Sequence, residues 1–296
     1  MTKRIAITDE ELNRPEMIEL VTSVPASLLD INSPGISPEV RKKILKDKYK
    51  QRVIADGLET GQITLTERGY VFSSYQTPSS FAGLVFEAYL VEQFNSNEKA
   101  GLRAFQWCTE RSEGWSKKPF LDCKAVGTGL LSTKRQLIGH FSPHSNADII
   151  FIRKNPNVDV MEPVLIHEQN NAASIQVKSI KFNFKEEIVD KVLSGKYRRV
   201  ITMLSDHDKR PSWSICHNIL LKMWRSGNIT QAEYADAISR IQGPEYFELN
   251  QQDADDYHEY IMEWHRGQVK PTDHITEAAS QEIIGYKYEN GLLVPV

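Results

Sequence analysis

Residues 174–180 have the sequence SIQVKSI, in which apolar and polar side chains alternate. Because successive side chains of a β-strand point to opposite faces, Gln176 and Lys178 are predicted to share one face. Ile175 and Val177 are predicted to enter the layer on the other side. This strand therefore brings an amide oxygen and an ammonium group to the same surface of a sheet.

The segments on either side of this strand alternate between helix and strand patterns. Residues 81–94 (FAGLVFEAYLVEQF) are apolar nearly all round, which predicts a buried helix that carries Glu87. An amphipathic helix follows the 174–180 strand and ends before Gly195, and residues 200–204 have the pattern of a buried strand. Further strands are predicted at 121–126, 136–141, 147–152 and 163–167. The predicted fold class is α/β, with a mixed central sheet flanked by helices.

Turn and linker residues divide the chain into three predicted parts. A Ser/Thr-rich linker at 73–80 separates a module of residues 1–75 from an α/β core of residues 76–210. Residues 211–296 are predicted to form a helical extension with a terminal hairpin. Its helices are expected at 215–226, from Thr230 to Gly243, and at 253–265, and its hairpin strands at 283–288 and 292–294.

The amino-terminal module combines short helices with one basic helix, predicted from Pro38 to Gly57. A hairpin of strands 63–66 and 70–72 follows it, which is similar to a winged-helix arrangement. Lys and Arg side chains bind the phosphates of nucleic acids without choosing a sequence. The residues predicted to bind nucleic acid are Arg41, Lys42, Lys43, Lys46 and Lys50.

Composition excludes several classes of protein. The net charge of −3 argues against a histone-like chain, although residues 245–263 carry seven acidic side chains and no Lys or Arg. Apolar runs such as 200–204 are far shorter than the roughly 20 residues that cross a bilayer, and the amino terminus lacks the apolar segment of a secretory signal. Three cysteines without a C-x-x-C pair suit a reducing compartment. A cytoplasmic protein without a membrane span is therefore expected.

Three places in the predicted core are candidates for one site: Glu87 on the buried helix, Asp148 at the start of a strand, and Gln176 with Lys178. If the two strands lie side by side, Asp148 and Gln176 could bind one hard divalent cation. Mg²⁺ suits carboxylate, amide and water ligands, and Mn²⁺ is expected to substitute for it. Lys178 would then lie beside a metal-bound water and help it attack a phosphodiester.

The order of these residues resembles the PD-(D/E)xK, or restriction-endonuclease-like, nuclease superfamily. The resemblance covers residues 80–206: a helix with a Glu, a β-meander with an Asp, a hydrophobic strand with an x-Lys doublet, then a helix and a strand. It implies that Asp148 is the principal metal ligand, that Glu87 contributes a metal or water contact, and that Lys178 is the catalytic lysine. Gln176 occupies the usual Asp/Glu position, as in a Q-x-K branch of the family, and Ala147 stands where the name expects Pro.

The resemblance implies a divalent-metal-dependent DNA endonuclease, in a restriction or phage-defence setting. Double-stranded DNA is the expected partner, and a homodimer is one arrangement that cleavage of both strands allows. Two alternatives stay open: a nucleic-acid-binding protein that has lost cleavage, and a ribonuclease toxin on the same core. Each site residue also has a structural interpretation, since Glu87 could pair with an Arg and Asp148 could be a turn residue.

Overall fold

The structure is a computed structural model that describes residues 49, 52–66, 69–72, 77–111, 120, 122–155, 157–265, 286–289 and 292–295. It divides the chain into two compact units. The larger unit comprises 59–62 and 74–262. The predicted boundary at residue 210 does not interrupt this unit. Among the described residues, no helix combines the length and apolar character needed to cross a bilayer.

The helices and strands of the described residues are numbered in chain order. The helices are α1 (52–60), α2 (Pro78–Ser96), α3 (Glu98–Thr109), α4 (Leu131–Gln136), α5 (Asp190–Leu193), α6 (Ser212–Arg225), α7 (Gln231–Ser239) and α8 (Gln251–His265). The strands are β1 (Ile63–Thr66), β2 (Gly69–Phe72), β3 (Cys123–Gly127), β4 (Ile149–Lys154), β5 (Met161–Pro163), β6 (Ser174–Lys178), β7 (Val200–Thr202), β8 (Ile241–Gln242), β9 (Tyr286–Glu289) and β10 (Leu292–Pro295).

A mixed central sheet organises the larger unit. Its strands lie in the order β3-β4-β6-β7-β8, and β5 also pairs with β4. The pairs β3–β4 and β4–β6 are antiparallel, whereas β6–β7 and β7–β8 are parallel. The chain is therefore α/β with a mixed sheet, as the alternating patterns predict.

One face of the sheet packs against α2 and α3. The rings of Phe94 on α2 and Phe105 on α3 lie 6.4 and 5.3 Å from the ring of Phe151 on β4. Ile149 is directly opposite Ile175 in the antiparallel β4–β6 pair, so both side chains point to this face. Ile175 is fully buried there.

The other face of the sheet carries a second apolar cluster. Val200 of β7 is opposite Gln176 in register and packs with Ile188, Val192 and Leu220. A π-helical turn, Lys185–Val189, leads into α5 and supplies part of this cluster. Gln176 and Lys178 are half-buried, whereas their neighbours Ile175 and Val177 are buried, which confirms the predicted alternation along β6.

Two strand predictions in the core are wrong in part or in full. Residues 136–141 were expected as a strand, but α4 and a 3₁₀ turn, Ile138–His140, occupy this region. The hydroxyl of Thr133 donates to the carbonyl of Gly127 at 2.7 Å, and this local hydrogen bond holds a helical turn at the end of β3. The strand expected at 163–167 is displaced, because β5 ends at Pro163 and Leu165 forms only an isolated bridge with Ala172.

The smaller unit contains residues 52–58 of α1 and two hairpins. In the first hairpin β1 and β2 are antiparallel, with Ile63 opposite Phe72, close to the predicted bounds. In the second, β9 and β10 are antiparallel and confirm the predicted terminal hairpin. The helix does not end at Gly57 as predicted: it continues to residue 60, and Gly61 follows with φ +75°. Gly57 instead allows close contact, since a Cβ there would lie 2.5 Å from Ile63 Cδ1.

Candidate active site

Asp148 lies immediately before β4, where its backbone and side chain both bind β6. Its N–H donates to the carbonyl of Ile175 at 2.9 Å. Its Oδ2 accepts hydrogen bonds from the backbone N–H of Val177, at 2.7 Å, and from the side-chain amide of Gln176. The antiparallel register of β4 and β6 creates these contacts, since Ile149 is opposite Ile175. The structure therefore brings together two of the predicted site residues, which lie 28 positions apart in the chain.

Gln176 and Lys178 open onto a cavity of about 490 Å³ in the larger unit. The first half of α2 forms another wall, through Gly83, Leu84 and Glu87. The predicted site residues Glu87, Gln176 and Lys178 thus line the same cavity, and Asp148 lies beside it through its bond to Gln176.

Helix α2 is fixed in place at both ends. At its start, the hydroxyl of Thr77 accepts a hydrogen bond from the N–H of Ser80 at 3.3 Å. Near its end, the side chain of Asn95 bonds both backbone groups of Ala125 on β3, at 2.8 and 2.9 Å. Because β3 pairs with β4, these contacts set the position of Glu87 relative to Asp148.

The carboxyl of Glu87 makes no hydrogen bond or ion pair with any described residue. Burial raises its pKa well above the ordinary value of 4.5. The negative charge of Asp148 raises the pKa of Glu87 further, and the positive charge of Lys178 partly opposes both effects. The side chains of Glu87 on α2, Asp148 just before β4 and Lys178 on β6 therefore lie close enough to act on one another electrostatically.

The pKa of the Asp148 carboxyl is likewise subject to opposing effects. Burial raises its pKa from 3.8 to about 6, while the hydrogen bond from Val177 and the charge of Lys178 act in the opposite direction. Only 9% of the residue is exposed. A second positive charge in this place would favour both ionised carboxylates, because it would offset their burial and mutual repulsion.

Lys178 reaches this site from the end of β6. Its Nζ lies 4.9 Å from the ring centroid of Tyr197, in a cation–π contact. It makes no ion pair within 4.0 Å to Glu87, Asp148 or any other described residue. The ammonium group is therefore available to a ligand that enters the cavity.

These residues fit a cation that keeps several water ligands better than one bound by protein ligands alone. Within the described residues no group of three or more His, Cys, Asp or Glu side chains could hold a metal ion. Glu87 and Asp148 supply two carboxylates, and Gln176 an amide oxygen. Mg²⁺ commonly binds through one or two carboxylates and keeps several waters, so the set suits Mg²⁺ and does not suit zinc. Gln176 is here hydrogen-bonded to Asp148, in addition to lining the cavity.

The predicted nucleic-acid-binding residues Arg41, Lys42, Lys43, Lys46 and Lys50 lie outside the described residues. Sequence patterns also missed two contributors to the site. Tyr197 follows Lys178 by 19 positions, and its ring contact has no signal in spacing. The N–H of Val177 belongs to the backbone, so no side-chain pattern could indicate that it binds Asp148.

Comparisons of the chain with protein-family models, with curated proteins and with solved structures find no match.

Proposed function

We propose that the protein is a divalent-metal-dependent endonuclease that hydrolyses phosphodiester bonds in DNA. The observation that carries this proposal is the convergence of Glu87, Asp148 and Lys178 from three separate elements, at a cavity that Gln176 also lines. Burial raises the pKa values of both acids, and the charge of Asp148 raises the pKa of Glu87 further, so the site favours a divalent cation. An unpaired ammonium group beside them suits an anionic substrate.

Asp148 and Glu87 would hold Mg²⁺, with the amide oxygen of Gln176 as a further ligand. Bound there, the cation would neutralise charge on the phosphate that reacts. The Val177 N–H and the Gln176 amide keep the Asp148 carboxylate in a fixed orientation. This orientation needs no reorganisation when a substrate enters.

Lys178 would donate a hydrogen bond to the attacking water or to a non-bridging oxygen of the phosphate. In hydrolysis the water oxygen forms a bond to phosphorus as one P–O ester bond breaks. One proton of the water passes to the departing alkoxide, and the products are a phosphate monoester and an alcohol. The ammonium group of Lys178 would stabilise the negative charge that develops on the phosphate oxygens. The basic residues between Arg41 and Lys50 support DNA as the substrate, because they suit phosphate contacts without sequence choice.

Nicking of supercoiled plasmid in Mg²⁺ or Mn²⁺ tests this function. We expect cleavage by the purified protein, and a rate at least about 100-fold lower in Lys178→Ala and Asp148→Asn, since each removes a group that acts on the reacting phosphate. Lys154→Ala is the matched control, because Lys154 ends β4 far along the strand from Asp148 and is exposed. Undiminished nicking in both site variants, or no nicking by the unaltered protein in either metal, would contradict the proposal.

One observation favours a second function, nucleic-acid binding without cleavage. The amide of Gln176 donates to Asp148, and Gln176 is neutral at the position where the family that the sequence resembles usually has Asp or Glu. Retained binding of duplex DNA with no nicking would support this alternative. Cleavage of tRNA in preference to duplex DNA would instead support a ribonuclease on the same scaffold.

A further inference from the structure

Three ammonium groups converge on the ring of Tyr197. The Nζ atoms of Lys178, Lys191 and Lys196 lie 4.9, 5.8 and 5.8 Å from the ring centroid. They come from β6, from α5 and from the turn after Gly195, so the fold and not the local sequence assembles them. Tyr197 itself is 5% exposed and packs in the apolar cluster with Val200.

This lysine cluster (Lys178, Lys191 and Lys196) carries more positive than negative charge. Glu187 bonds Lys191 at 2.5 Å. Among the described residues, Lys178 and Lys196 have neither a hydrogen bond nor an ion pair. The charges of Lys178 and Lys196 nevertheless reach Glu187, whose pKa is lowered first by its bond to Lys191 and then by these neighbours. The charge of Lys178 also acts on Glu87 and Asp148 at the cavity, whereas at the surface end Lys191 and Lys196 face the single carboxylate of Glu187, which leaves one excess positive charge there.

This arrangement suits an anionic ligand. Each ammonium group lies within 6 Å of one centroid, so no two of them are more than about 12 Å apart. The aromatic ring stabilises each cation but does not neutralise it. A ligand with more than one negative charge could therefore interact with several of these cations at once.

The three lysines of the cluster lie at different depths, from the cavity to the protein surface. Lys178 lines the cavity of the candidate active site, Lys191 is half-buried, and Lys196 is exposed. Positive charge therefore extends from the cavity wall to the surface. A single phosphate in the cavity would use only the first of these lysines, whereas a chain of phosphates would follow all three.

We propose that Lys191 and Lys196, together with Lys178, form a subsite for a phosphate of double-stranded DNA that neighbours the reacting phosphate. This inference rests on the proposed function, because it takes the reacting phosphate to lie beside Lys178. It adds that the substrate is a polymer that continues past Tyr197, and it names the residues that hold the polymer there.

The experiment measures binding of a fluorescent DNA duplex by anisotropy over a range of KCl concentrations, with EDTA present so that no cleavage occurs. The full chain is compared with Lys191→Gln/Lys196→Gln. Each lost phosphate contact lowers the slope of log affinity against log salt by about one, so we expect a slope shallower by about two. Lys191→Arg/Lys196→Arg keeps both charges and is expected to keep the slope of the unaltered protein.

The matched control is Lys99→Gln/Lys154→Gln, which removes the same charge from α3 and from the far end of β4. An unchanged slope in Lys191→Gln/Lys196→Gln overturns the inference, and so does an equal decrease in the control pair. Failure of the proposed function is distinguishable, because binding is measured without cleavage. If the slope is shallower in Lys191→Gln/Lys196→Gln but the unaltered protein never nicks plasmid, the DNA-binding subsite is supported and only the proposed nuclease activity is contradicted.

Discussion

Glu87 and Asp148 are costly residues for the folded protein. Asp148 is buried and Glu87 is half-buried, so both carboxylates lose hydration, and two carboxylates close together also repel each other. The described residues bring no Arg or Lys into an ion pair with either one, although Lys178 lies near both. Neutral residues at these positions would avoid this cost, and the proposed site would use the charge of the two acids.

The pH dependence of stability tests this cost. The pKa of Asp148 is raised in the folded state. Its contribution to the free energy of unfolding is therefore most favourable below pH 3.8, and this contribution is lost as the pH rises through about 6. Asp148→Asn removes the charge but keeps an oxygen for the Val177 N–H. In metal-free buffer at about pH 8, we expect this variant to be more stable than the unaltered protein by on the order of 2 kcal/mol. Urea denaturation at several pH values would measure it.

The gain of Asp148→Asn should shrink toward about pH 4, where the native carboxyl binds a proton. Glu87→Gln should show the same direction, since the pKa of Glu87 is also raised. Asp159→Asn serves as control: Asp159 is exposed, and Asn tolerates its positive φ of 51°. A loss of stability at high pH in both Asp148→Asn and Glu87→Gln would mean that the acids stabilise the fold.

At the residue scale the sequence predicted side-chain direction well and side-chain partners poorly. Alternation along SIQVKSI was sufficient to place Gln176 and Lys178 on one face, because strand geometry has a period of two. The contact of Lys178 with Tyr197 depends instead on how α5 returns to β7. No local pattern contains that information.

Among the elements, the contact of α2 with β3 matters most for the site. Ala125 is 1% exposed, and its N–H and C=O point away from β4 to the edge of the sheet, where Asn95 bonds both. The side-chain amide of Asn95 thus makes the two hydrogen bonds that a neighbouring strand would otherwise make with Ala125. It also joins the helix that carries Glu87 to the sheet that carries Asp148.

Asn95→Ala should therefore lower stability. It leaves the two backbone groups of Ala125 without their partner, at a cost of about 1–3 kcal/mol in the free energy of unfolding. Gln93→Ala is the control on the same helix, since the Gln93 side chain bonds only its exposed neighbour Glu92. Equal urea midpoints for Asn95→Ala and Gln93→Ala would show that α2 is held by its apolar face alone.

Errors at the element scale have identifiable causes. Helix α3 was not predicted, because Gly101 interrupts its helical pattern. In the structure this glycine permits close packing, since a Cβ at position 101 would lie 2.1 Å from the Phe94 carbonyl oxygen. The helix predicted from Thr230 to Gly243 ends at Ser239, and the two-residue β8 that follows is too short for any periodicity. β8 exists because it pairs with β7, which is a tertiary effect.

In the whole molecule, the acidic segment 245–263 is part of the packed unit up to residue 262. Phe247 packs on Phe94 and Trp107, with centroids 5.7 and 5.4 Å away. Tyr257 of α8 lies 5.6 Å from the ring of Phe86 on α2. Helix α8 therefore exposes Glu259 and buries Asp255, and its apolar face supports the helix of Glu87.

Two fragments would test this arrangement. Residues 59–262 span the larger unit and should unfold in one cooperative thermal transition, because the unit keeps its apolar contacts. Residues 59–243 lack Phe247 and α8, so the faces of α2 and α3 that they cover would be exposed. Backbone contacts would be lost as well, since Asp255 accepts from the Ser205 N–H at 2.8 Å and Gln251 donates to the Met203 carbonyl at 2.9 Å. We expect no cooperative transition by circular dichroism for this shorter fragment. A cooperative thermal transition of 59–243 would instead show that the core folds without the carboxy-terminal segment. The position of Glu87 would then depend on the sheet contacts of α2 alone.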